Sequence, residues 1–156
     1  MTENAPVPDG TNTDTKGLWE SFRPIRSLEE ARQLSRAALF AGLILLGQTL
    51  FDFMLLTQAP VDPYLTQGET LIIFWALNGT IMLIVGAAVW GVMSRRSRFA
   101  AVALLGLSGL NFVGALGSLG ELEGTTRFAI VLTSATAVFL AVQALRAVRA
   151  YRRFAA

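Results

Sequence analysis

Chemistry inside an apolar segment falls to the few polar side chains it carries. Gln48 and Asp52 lie four residues apart, so a helix through them presents both on one face. Asp52 is the one ionisable residue well inside an apolar block, and no Lys or Arg within any such block neutralises it. An acid so placed is hydrogen-bonded, hydrated or protonated, and groups of this kind exchange protons or cations in membrane transporters. Arg127 is the nearest cation by depth. Asn78, Asn111, Thr133, Ser134 and Thr136 are further polar groups inside the blocks. At a rise of about 1.5 Å per residue, with the blocks running alternately up and down, all seven groups reach one layer. Two readings of that layer stand side by side. It packs helices through hydrogen bonds of about 1 kcal/mol or less each, or it serves proton- or cation-coupled transport through Asp52. Binding of a lipid-soluble cofactor or pigment is a third.

Other chemistry is excluded by what the chain lacks. It has no Cys and no His. Thiolate nucleophiles, disulfide relays, imidazole bases and His-ligated metals or haem are therefore out of reach. There is no glycine-rich phosphate loop, no metal-ligand spacing and no nucleophile–base pair. The expectation is a protein that is not an enzyme, with no catalytic residues, no metal site and no assigned cofactor.

The elements that must position the polar layer are long and apolar. Of 156 residues, 53% are hydrophobic and 15% charged, against about 25% charged in a soluble domain. Four blocks, at 37–57, 71–93, 99–119 and 128–145, contain no proline, and each approaches the ~20 apolar residues that cross a bilayer. Backbone groups in lipid must be satisfied within their own segment, so each block should be a helix. The fold expected is an all-α membrane protein, a four-helix transmembrane bundle with short loops. Its tightest hairpin is Met93–Arg98, between the second and third spans.

Basic residues orient the bundle. Twelve of the thirteen precede the first span, sit between the second and third, or follow the fourth; only Arg127 does not. Both termini are therefore expected in the cytoplasm. The other face is acidic, carrying Asp62, Glu69, Glu121 and Glu123. Arg outnumbers Lys twelve to one, a bias of GC-rich bacterial genomes that suggests an inner (plasma) membrane.

The chain divides into a disordered cytoplasmic tail at 1–16, an amphipathic interfacial arm at 17–36, a four-span domain at 37–145 and a basic helical extension at 146–156. Ser27 and Glu30 have the spacing of a capping box, which starts a short juxtamembrane helix before the first span. Thr66 and Glu69 have the same spacing ahead of the second. Arg95, Arg96, Arg98, Arg146, Arg149 and Arg153 are placed to meet anionic lipid head groups. Gly106, Gly109, Gly114 and Gly117 line the third span, and Ala137 and Ala141 give the fourth a small-residue ridge. Such seams let helix backbones approach closely, whether the neighbour is in this chain or another. The function expected is packing of helices, as an accessory subunit of a larger membrane complex or as a homo-oligomer. Its partners are membrane lipids and another membrane protein or a second copy, with no role for nucleic acid.

Overall fold

Ser27 starts the first helix as its spacing predicts. Its backbone is extended at φ −139° and ψ 157°, and its Oγ accepts from the Glu30 amide at 3.1 Å. Glu30 returns the favour by accepting from the Arg26 amide through Oε2 at 2.8 Å, so amides that a helix start leaves unpaired find acceptors. Loss of this cap in Ser27→Ala should cost about 1 kcal/mol. The measurable consequence is amide exchange roughly fivefold faster at the start of this helix, with the long helices unaffected.

A computed structural model describes residues 23–56, 67–117 and 124–155, and every element among them is an α-helix. These are α1 (Leu28–Ser35), α2 (Ala37–Leu56), α3 (Gln67–Arg95), α4 (Arg98–Gly117) and α5 (Gly124–Phe154). Four runs, Leu28–Asp52, Leu71–Arg95, Arg98–Gly117 and Gly124–Phe154, are long and apolar enough to cross a membrane. The tail 1–16, Thr66, Asp62, Glu121 and Glu123 lie outside the described residues. Helix α5 begins at Gly124, in the left-handed region at φ 55°. Arg127, expected in a loop, therefore belongs to the first turn of α5. An apolar count starts the span at Phe128, whereas the backbone becomes helical before the apolar run.

The four long helices form a ring in chain order, α2 to α3 to α4 to α5 and back to α2, with α2 and α4 also touching across the middle. Helix α1 turns into α2 at Arg36 and lies along α5. Small residues make these approaches possible. The buried face of α1 and α2 is Ala31, Ser35, Ala38, Ala41 and Leu45, and that of α5 is Ser134, Ala137, Ala141, Ala144 and Val148. Two glycines sit where helices are closest. A Cβ on Gly42 would lie 2.5 Å from Val89 Cγ2, and one on Gly91 would lie 2.8 Å from Ala100 Cβ.

Arg96 and Ser97 alone join α3 to α4. Arg96 has φ 49°, a conformation that usually falls to glycine after a helix C-terminus and costs another L-residue roughly 1–2 kcal/mol. Several contacts hold it there. Its Nη1 donates to Ser35 Oγ and to the Val92 carbonyl, and its guanidinium lies 5.5 Å from the centre of the Tyr151 ring. One side chain thus ties α1, α3 and α5 together beside the turn.

The main core cluster lies toward this end of the bundle. Ala38, Ala41 and Leu45 of α2 meet Val85, Ala88 and Val92 of α3, Ala101 and Leu104 of α4, and Ala141, Ala144 and Val148 of α5. Toward the Gly124 end, α3 is less buried. No residue described between Leu71 and Ile84 is buried, and Ile72, Leu77 and Leu83 are 70%, 61% and 76% exposed.

Candidate functional site

Beyond the apolar core, the contact faces of α2, α4 and α5 become polar. Gln48 projects from α2, Asn111 from α4, and Thr133 and Ser134 from α5. Gln48 Nε2 donates to Ser134 Oγ at 2.8 Å and to Thr133 Oγ1 at 2.9 Å. Asn111 Nδ2 donates to Gln48 Oε1 and, at 3.2 Å, to Ser134 Oγ. Thr133 Oγ1 in turn donates to the Ala129 carbonyl at 2.8 Å. Ser134 is fully buried at the centre, accepting from both carboxamides. Both carboxamide NH₂ groups therefore find acceptors on a neighbouring helix. A buried polar group left unpaired costs about 1–3 kcal/mol, so this closure matters more than the number of bonds.

Three residues of the expected layer stand apart. Asn78 donates to the Phe74 carbonyl of its own helix at 3.0 Å. It makes no hydrogen bond to the polar groups of α2, α4 or α5. Thr136 bonds to the Leu132 carbonyl of α5 at 2.8 Å and is exposed. Asp52 is exposed one turn beyond Gln48, and no ion pair joins it to Arg127. Arg127 buries its Nε without a hydrogen-bond partner, near a helix N-terminus whose dipole disfavours a cation.

Beside the network, α2 and α5 part to leave a groove of about 530 Å³ walled by Ile44, Gly47, Gln48, Phe51, Ala129 and Thr133. Thr125 and Thr126 also line it, so its mainly apolar walls carry several hydrogen-bonding groups. Gly47 leaves open space where a side chain would stand. Among the described residues no group of three or more Asp or Glu gathers as a metal site would require.

The expected packing residues divide sharply. Ala137 and Ala141 are fully buried. Gly106, Gly109, Gly114 and Gly117 meet nothing within 4 Å of where a Cβ would be. The inward face of α4 is instead Ala101, Leu104, Ser108 and Ala115. The outward one carries Phe99, Val102, Leu110 and Val113, exposed by 53% or more. Of the arginines, Arg95 lies 4.8 Å from the centre of the Trp90 ring and Arg98 is exposed. Arg96 is turned inward, as described, while Arg146, Arg149 and Arg153 line one side of the end of α5.

Gly42 and the Ser35–Arg96–Tyr151 cluster were not anticipated. Ala38, Ala41 and Gly42 are a visible small-residue signal, masked in the sequence by Phe40, Leu46, Leu50 and Phe51 around the same helix. The Arg96 cluster joins positions 35, 96 and 151, and no local pattern announces it.

The fold and site together define a class: a chain helical throughout its described elements, with four helices long and apolar enough to cross a membrane, three of them joined by a polar network. Comparison with protein-family models, curated proteins and solved structures finds no match to this chain.

Proposed function

We propose that this chain is an integral protein of a bacterial inner membrane, with both termini cytoplasmic, that works by packing its helices against another membrane protein or a second copy of itself. The observation that carries this reading is the outward face of α4. Gly106 and Gly117 stand opposite the buried Leu104 and Ser108, with open space above them. Glycine costs a helix about 1 kcal/mol relative to alanine, and the bundle itself makes no use of these positions. Close approach of a helix from outside gives that cost a purpose. The exposed N-terminal half of α3, with Asn78 lacking an interhelical bond, extends the available surface.

The chain contains no cysteine, so a single Cys introduced at Gly106 or Gly117 reports contact there alone. In native membranes, oxidation should link Gly106→Cys or Gly117→Cys chains to one another, or to one other membrane protein identified by mass spectrometry. The same change at Leu43, on the exposed side of α2, should give no such product. Absence of any product from the α4 positions would remove the packing reading.

Transport through Asp52 is the competing reading, favoured by the exposure of that carboxyl. The polar network closes without Asp52, which supports packing instead. Asp52→Asn should accordingly leave assembly intact and change stability by no more than about 0.5 kcal/mol. A folded, assembled Asp52→Asn protein that lost proton-coupled flux in reconstituted vesicles would put transport first.

A further inference from the structure

The segment ahead of α1 passes over the end of α5 and borders an open cavity of about 460 Å³, with Pro24 and Ile25 on one side and Arg146, Arg149, Arg153 and Phe154 on the other. The three arginines recur at i, i+3 and i+7, a single face of the helix. They do not play the same part. Arg146 is built into the wall, donating through Nη1 to Gln143 Oε1 and through Nη2 to the Arg23 carbonyl, each at 2.8 Å. Gln143 is itself buried. Arg149 and Arg153 are exposed and make no hydrogen bond or ion pair with another described residue.

This arrangement is costly without a ligand. Like charges one turn apart on a helix repel, and the α5 C-terminus offers only about half a negative charge against them. No described carboxylate faces the cavity. What would neutralise it is an anion with several acceptor oxygens, which guanidinium forks grip in pairs. Ile25 and Phe154 add an apolar flank to the same cavity.

We propose that this cavity binds a phosphate group. Arg146, held by Gln143 and the Arg23 carbonyl, keeps the wall in place, and Arg149 and Arg153 close on the phosphate oxygens. Two sources present that chemistry: the phosphodiester of an anionic lipid head group, whose glycerol and acyl chains would run over Ile25 and Phe154, and free phosphate. The lipid source rests on the helices spanning a membrane, whereas the cavity does not depend on the packing role of α4.

The test is calorimetric titration of the full chain in neutral detergent with dihexanoyl phosphatidylglycerol, with inorganic phosphate, and with dihexanoylglycerol as the phosphate-free control. The glycerolipid lacking phosphate should not bind, and at least one phosphate probe should bind saturably at one site. R149Q/R153Q should weaken that binding by at least about tenfold, the loss expected when hydrogen bonds between charged groups go. R32Q/R36Q removes equal charge on α1 and should weaken it by less than about twofold. R149K/R153K, which keeps the charge and loses the fork, should fall between. Inorganic phosphate binding with this variant pattern assigns the site to free phosphate, and response to the lipid alone assigns it to a head group. Failure of both probes to saturate, or equal weakening in both Gln doubles, overturns the proposal.

Discussion

Leucine at Gln48 or Asn111 should lower the thermal midpoint of the solubilised protein, while leucine at Asn78 should barely move it. All three changes remove a carboxamide from an apolar helix, so hydropathy alone would rank them together. The hydrogen bonds separate them. Gln48 bridges α2 to Ser134 and Thr133 of α5 and accepts from Asn111 of α4. Its removal leaves the Asn111 amide short of an acceptor and buried Ser134 with one donor fewer. The expected cost is about 1–3 kcal/mol, the range for a buried group left unpaired. Asn78 gives up only a bond to its own helix, and its change should stay within about 0.5 kcal/mol. The Gln48→Leu/Asn111→Leu double variant should lose less than the sum of the two singles, because each single already breaks the shared bond. Equal losses at Gln48, Asn111 and Asn78 would mean that the three-helix network does not exist in the membrane.

The second large effect belongs to two glycines. Gly91→Ala places a methyl 2.8 Å from Ala100 Cβ. Neither alanine has a rotamer to change, so the α3 and α4 backbones must move apart beside the turn that Arg96 holds. Gly42→Ala places a methyl 2.5 Å from Val89 Cγ2, and β-branched Val89 has little freedom to swing away within a helix. Each should cost about 1–3 kcal/mol, the usual penalty for overfilling a packed contact. The controls are Gly109→Ala and Gly114→Ala, which enter open space. They should leave stability unchanged or raise it by up to about 1 kcal/mol through helix propensity. Unfolding in increasing dodecyl sulfate, followed by tryptophan fluorescence, orders the four. If Gly114→Ala proved as damaging as Gly91→Ala, the outward placement of that side of α4 would be wrong.

These contrasts mark how far the residues could be read in advance. Helix number and approximate extent follow from apolar runs, since hydropathy over a span is a local sum. Ser27 and Glu30 were legible because a capping box involves only neighbours along the chain. Ala137 and Ala141 were legible as a contact ridge, and both are buried. Depth along each span was computable too, and Gln48, Asn111, Thr133 and Ser134, which it places at one level, hydrogen-bond to one another in the structure. Depth fixes only one coordinate. Asn78, given the same level, bonds within its own helix instead.

The glycines make the same point by rotation. Each long helix carries more than one small-residue stripe. In α4 the stripe through Gly106 and Gly117 and the one through Ala101, Leu104 and Ser108 lie on opposite sides. Choosing between them requires knowing where α3 and α5 stand.

By itself, then, the sequence determines the helical segments, the cap that starts the first of them, and which side chains are available for polar contacts. Those properties rest on neighbours within a turn or two. The tertiary structure alone decides that Gln48, Asn111 and Ser134 meet while Asp52 and Asn78 do not. It alone makes Gly42 and Gly91 the tight contacts, and brings Arg96 to Ser35 and Tyr151. The physical reason is that every apolar helix offers several faces of nearly equal hydropathy. Close packing and the pairing of buried polar groups then select among them.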